Sequence, residues 1–153
     1  PISDGAELSA AGVELRVVAT PGHTSDSACL VLGSGPVLTG DSILGRGTTV
    51  VAHPDGNLGD YLASLERLRD LGDVPVLPGH GPELPSAQAV ASEYLTHRTE
   101  RLNQIRAALD HLGPDATARA VVEHVYADVS QDLWWAAELS VRAQLYYLTG
   151  AAG

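Results

Sequence analysis

Short apolar runs rich in valine and leucine, Val13 to Ala19, Ala28 to Leu32 and Val37 to Thr39, are broken by Gly, Pro, Ser and Asp along the first part of the chain. This pattern predicts strands joined by turns. From Leu58 the period lengthens. Leu58, Leu62, Leu65 and Leu68 fall on one helical face, with Asn57 where an N-cap belongs and Gly72 where the helix should stop. Val74 to Leu77 predicts a further short strand that delivers Pro78-Gly79-His80-Gly81 into a loop, after which Pro85-Ser86 opens a long helix that Gly113-Pro114 stops at Leu112. Beyond Pro114 the pattern is helical, with Thr117 and Ser130 as N-caps and Val121, Val122, Val125, Leu133, Leu139 and Leu145 facing a core. The reading is an α/β body over residues 1–112 and a small helical subdomain over residues 113–153.

Helices placed behind a long connecting one suggest a helix-turn-helix or winged-helix element. Trp134, Trp135, Tyr146 and Tyr147 in that region mark packing more often than recognition. At 153 residues the chain suits one domain or a piece of a larger one. The composition, 44% hydrophobic with no bilayer-length apolar run and no signal-peptide pattern, predicts a soluble, cytoplasmic chain without a membrane partner. Cys29 is the single cysteine, which fits a reducing compartment and a buried, inert thiol. Methionine is absent, so Pro1 is read as a cut rather than a natural start, with a preceding segment left out.

Nineteen acidic residues stand against 9 basic ones, all arginine, for a net charge of -10. Such a surface repels polyanions at long range and counts against a nucleic-acid partner.

The chemistry concentrates in three glycine-rich settings: Thr20-Pro21-Gly22-His23-Thr24, Thr39-Gly40-Asp41 and Pro78-Gly79-His80-Gly81. Imidazole and carboxylate are ligands of borderline divalent metals, and a neighbouring glycine lets the backbone turn sharply enough to aim such a side chain into a cleft. Any one of the three alone would read as a turn. Together, following separate strands, they read as His23, Asp41 and His80 of a metal site.

The order TPGHT, TGD, PGHG resembles the last three metal motifs of the metallo-beta-lactamase fold. It is similar in particular to the subgroup of the lactamase-beta-like endoribonuclease and related bacterial hydrolases. There Gly45-Arg46-Gly47-Thr48-Thr49-Val50 follows the aspartate, Tyr61-Leu62-Ala63-Ser64-Leu65 lies in the next helix, and His97-Arg98 lies in the helix after PGHG. The resemblance implies the C-terminal half of an αββα sandwich with a winged-helix-like C-terminal subdomain. It implies two divalent metal ions, zinc first among them, with His23 on one, His80 on the other and Asp41 bridging, and these three as the catalytic set. The family's H-x-H-x-D-H motif is missing from this chain, whose other histidines are His53, His97, His111 and His124.

Each metal would thus keep one histidine and a share of Asp41, whereas a stable zinc site takes at least three protein ligands. Weak or no metal occupancy and little activity are expected of the chain by itself. Substrate-lining positions are expected at Thr24, Thr48, Thr49, His53, His97 and Arg98, though His53 also reads as a surface turn and His97-Arg98 as a solvated helix face. The first functional expectation is part of a dinuclear metal hydrolase that attacks a small ester, thioester or related acyl substrate with a metal-bridging hydroxide. Two others stand beside it: an endoribonuclease on single-stranded RNA, disfavoured by the acidic charge, and a non-catalytic module that forms a homo-oligomer through an uncovered sheet.

Overall fold

The computed structural model describes residues 3–150. One sheet carries the strands in sequence order: β1 (Glu7–Ala10), β2 (Val13–Ala19), β3 (Ala28–Leu32), β4 (Val37–Gly40) and β5 (Val76–Pro78). The first four pair antiparallel, and β5 lies parallel to β4 with Val37 opposite Val76 and Leu38 opposite Leu77. A parallel neighbour needs a crossover connection, and α1 (Leu58–Arg69) lies within it. After β5 come α2 (Ala87–Leu112), α3 (Ala118–Val125), a 3-10 turn at Gln131–Leu133 and α4 (Trp134–Thr149).

The expected strands and helices are present, and β1 is an addition. Glu7-Leu8-Ser9-Ala10 holds one large apolar residue, too little to announce a strand. It forms because Ala11 (φ 52°) and Gly12 (φ 78°) make a two-residue turn with both φ positive, whose twist folds β1 back on β2. The caps at Asn57, Ser86 and Thr117 accept from Asp60 N, Ala89 N and Ala120 N, as their positions predicted. Ser130 makes no side-chain cap and precedes the 3-10 turn instead of an α-helix.

Alternation along the strands gives the sheet two apolar faces. On one, Val18, Cys29, Val37 and Val76 are buried against Tyr61, Leu65 and Leu68 of α1 and Ala87, Ala91 and Tyr94 of α2. Cys29 is fully buried, and that burial pushes its thiol pKa up, as an inert thiol requires. On the other face, register aligns Leu8, Leu15 and Leu32 in one row and Leu30, Leu38 and Leu77 in the next. None of these six leucines is buried, although Val17, opposite Leu30 in the second row, is; no helix of the described residues covers the six.

A second core joins the last turns of α2 to the C-terminal helices: Ile105 and Ala108 pack with Val121, Val122, Trp134, Val141 and Leu145. Trp134 is buried and donates Nε1–H to the Val129 carbonyl at 2.9 Å. Its neighbours correct two expectations. Leu133 is 57% exposed instead of core-facing, and Trp135, 68% exposed, is a surface residue rather than a packing one, whereas the partly exposed Tyr146 and Tyr147 rest against His53 and Gly59. The helical phase explains this, since Trp134, Val141 and Leu145 occupy the inward stripe and adjacent positions rotate away from it. No helix among the described residues is long and apolar enough to cross a membrane.

Candidate metal centre

Topology collects the three motifs. Strands β2 and β4 run in the same direction because each is antiparallel to β3, and β5 is parallel to β4. The carboxyl ends of all three therefore meet at one edge, and His23, Asp41 and His80 each lie on the loop that follows one of those strands. Two glycines make the approach feasible. Gly22 has φ 132°, and a Cβ there would lie 2.3 Å from the Tyr61 Cα, so the His23 loop can lie flat on α1 only without a side chain. A Cβ on Gly79 would come within 3.2 Å of Asp41 Oδ1.

His23 Nε2 faces Asp41 Oδ2 at 3.9 Å, and His80 Nε2 faces Asp41 Oδ1 at 3.6 Å. Both separations are too long for a direct hydrogen bond. Any two ligand atoms of a tetrahedral zinc, each about 2.0–2.1 Å from the ion, are about 3.4 Å apart. The spacing is thus near that of ligands sharing an ion. The His23 ring adds a second argument. Its Nδ1 lies 2.7 Å from the Val50 carbonyl, which can only accept, so Nδ1 carries the proton. In the neutral ring the Nε2 lone pair then points at a carboxylate oxygen, an arrangement that an intervening cation makes favourable. Because the two imidazoles address opposite oxygens, no group of three or more His, Cys, Asp or Glu among the described residues is placed to hold one ion. Each oxygen of the Asp41 carboxylate thus faces one imidazole.

The Asp41 backbone is held from below. Thr49 Oγ1 donates to the Asp41 carbonyl at 2.7 Å, and Tyr61 OH donates to the Ser42 carbonyl at 2.8 Å. Thr39 Oγ1 donates to the Ile43 carbonyl at 2.9 Å. From α2, Tyr94 OH donates to the Gly47 carbonyl at 2.8 Å and accepts from Leu44 N at 3.2 Å, and Arg98 Nη2 donates to the Thr49 carbonyl. Burial raises the pKa of both tyrosines, which keeps each phenol protonated to donate.

The residues expected to line a substrate cleft fall into different places. Thr49 and Arg98 are buried, at 2% and 5% exposure, and hold the loop; Arg98 is neither a cleft wall nor part of a solvated helix face. Thr24 braces its own loop through Asp26 and Ser27, and Thr48 is exposed. His53 is half-buried, its ring 5.0 Å from that of Tyr146 on α4. His97 is half-buried, and its Nδ1 has no partner among the described residues. Burial and then the Arg98 and Arg101 charges push its pKa below the usual histidine value. Sequence reasoning assigned nothing to the hydroxyls of Tyr61 and Tyr94. The signal was present, since a tyrosine on an otherwise apolar helical face needs a partner for its hydroxyl.

Fold and site together define an α/β protein that gathers imidazole and carboxylate donors on loops at the carboxyl ends of its strands. The chain belongs to the Metallo-beta-lactamase superfamily, whose profile matches residues 1–80, more than half of it. Residues 117–149 match the Beta-lactamase associated winged helix domain. Among curated proteins, the "Beta-lactamase-like protein 2 homolog" of Drosophila melanogaster is 34% identical over 146 residues, spanning 95% of this chain and 49% of the relative. The "Atrochrysone carboxyl ACP thioesterase AgnL7" of Paecilomyces divaricatus is 35% identical over 116 residues, 75% of this chain and 36% of the relative. Among solved structures, a metallo-beta-lactamase family protein from Thermus thermophilus superposes with a TM-score of 0.83 at 31% identity, covering 98% of this chain and 48% of that one. The chain therefore spans between about a third and a half of the length of these relatives. Members of the superfamily are typically hydrolases that bind divalent metals.

Proposed function

We propose that the whole protein carrying these residues is a divalent-metal hydrolase, zinc-dependent, that cleaves an ester, thioester or related acyl substrate. The observation that carries this reading is the Asp41 carboxylate flanked on its two oxygens by the Nε2 atoms of different histidines at 3.9 and 3.6 Å. In it, His23 and His80 each present a lone pair and Asp41 presents one oxygen to each side. A divalent metal held by His23, Asp41 and His80 would lower the pKa of a bound water towards neutrality and offset charge developing on the acyl oxygen. The chain's own task is positioning: the Val50 carbonyl fixes the His23 tautomer, and the Thr49 and Tyr61 hydroxyls fix the backbone from which Asp41 projects. The thioesterase among the relatives supports an acyl substrate.

With two donors per ion from this chain against the three or more of a stable zinc site, the remaining donors belong to the rest of the whole protein. The leucine face of the sheet belongs to the same interface, covered there by the second sheet of the sandwich. The test compares whole protein, whole protein with Asp41→Asn, and this chain alone, for metal content and for hydrolysis of a chromogenic ester and an acyl thioester. Metal-dependent hydrolysis by the whole protein, abolished by Asp41→Asn and absent from the chain alone, is the expected result. Equal hydrolysis by the chain alone, or cleavage of labelled RNA in preference to both acyl substrates, contradicts the reading.

A further inference from the structure

Arg98 is the one charged residue among the buried polar positions of the described chain, at 5% exposure, and it has no carboxylate partner among the ion pairs of the described residues. Its Nη2 donates to the Thr49 carbonyl, its guanidinium carbon lies 5.2 Å from the centre of the Tyr61 ring, and its Nε has no partner among those residues. A buried cation without a counter-ion is costly, and a methionine of similar length would fill the space without that cost. What the guanidinium offers beyond volume is an in-plane donor combined with a flat face that stacks on an aromatic ring.

Both of its contacts lead to the same place. Thr49, held by its carbonyl, turns its hydroxyl onto the Asp41 carbonyl at 2.7 Å, and Tyr61, held by its ring, turns its hydroxyl onto the Ser42 carbonyl at 2.8 Å. Arg98 therefore holds the backbone of Thr49 and the ring of Tyr61, and the hydroxyls of those two residues in turn hold the carbonyls of Asp41 and of Ser42 next to it. We propose that Arg98 is a positioning residue for the metal site, acting through Thr49 and Tyr61 to set where Asp41 points, and that it does not touch substrate. The inference rests on the reading of Asp41 as a metal ligand. It also gives α2 a second duty, since the helix that roots the C-terminal core through Ile105 and Ala108 braces the ligand loop through Arg98.

The experiment titrates whole protein, stripped of metal, with Co2+ and follows the visible absorption of the bound ion at a temperature well below unfolding. Arg98→Met is expected to weaken Co2+ binding about 10- to 100-fold, the range for removing a group that orients a ligand. Thr49→Val is expected to weaken it in the same direction. The double variant should be no weaker than the worse single one, because both substitutions break one chain of contacts. Arg98→Lys, which keeps the charge but not the planar fork, is expected to restore less than half of the loss on a logarithmic scale. A lowered melting temperature with Co2+ affinity within twofold of wild type would overturn the proposal and leave Arg98 as packing. Should Arg98→Met fail to fold, Thr49→Val decides alone, and affinity unchanged within twofold overturns it. If wild type takes up no Co2+, or if Asp41→Asn binds it equally well, the reading of the site fails and the positioning role falls with it.

Discussion

The two faces of the sheet are built from the same residue types, and all but Val17 of the leucine face differ in fate from the face beneath the helices. Val37 and Leu38 are neighbours on β4, yet Val37 is fully buried beneath the helices while Leu38 is 38% exposed on the far side. The rows Leu8, Leu15, Leu32 and Leu30, Leu38, Leu77 have the composition of a core without its cover. A sheet that alternated apolar and polar would be complete with helices on one side. One that is apolar on both sides is made to be buried on both, and the half-length match to the relatives agrees with that. The candidate site obeys the same division, because His23, Asp41 and His80 lie on loops at the strand ends where the two faces meet.

The largest effect that could break this comparison comes from placing one charge on either side of β4. Val37→Asp buries an unpaired carboxylate and should cost at least about 4 kcal/mol, enough to abolish a cooperative urea transition followed by circular dichroism. Leu38→Asp should cost this chain alone about 0.5 kcal/mol, the scale of a surface change, and should reduce any self-association through the leucine face seen in sedimentation. In the whole protein the same Leu38→Asp should be as damaging as Val37→Asp. Equal tolerance of Leu38→Asp in both forms would mean that nothing covers that face.

A smaller effect lies on the covered side. Tyr94→Phe removes the donor to the Gly47 carbonyl and the acceptor for Leu44 N, leaving both half-buried groups unpaired, and should cost about 1–2 kcal/mol in thermal unfolding. A change near zero would show that the ligand loop holds itself without α2. The smallest is a pH effect. The pKa of His97 is lowered in the fold, so below its unfolded value of 6.5 the unfolded chain takes up the proton more readily and stability falls with pH. His97→Gln should flatten unfolding free energy against pH across that window, and a profile unchanged by the substitution would assign the slope to other groups.

How much of this was legible depends on the range of the interaction. Val13–Ala19, Leu58–Arg69 and Ala87–Leu112 follow from period and cap chemistry, because those signals lie within a few residues of one another. β1 did not, since its pairing rests on the backbone of Ala11 and Gly12 and not on apolar content. His23, Asp41 and His80 stood out through their glycine-rich settings, and strand direction then brought them to one edge. Arg98 and Thr49 read as cleft-lining, and only three-dimensional packing reveals both under the loop. A charged residue in a helix looks solvated in sequence unless the ring and carbonyl that cover it, here from Tyr61 and Thr49, are already in view.

The central claim is that Asp41 serves two ions from opposite oxygens, and the metal content of the whole protein tests it most directly. Purified whole protein, with Asp41→Asn beside it, would be dialysed against a defined zinc concentration and assayed by inductively coupled plasma mass spectrometry. The account predicts two equivalents of metal in the wild type and loss of both in Asp41→Asn. Retention of both by Asp41→Asn would contradict it.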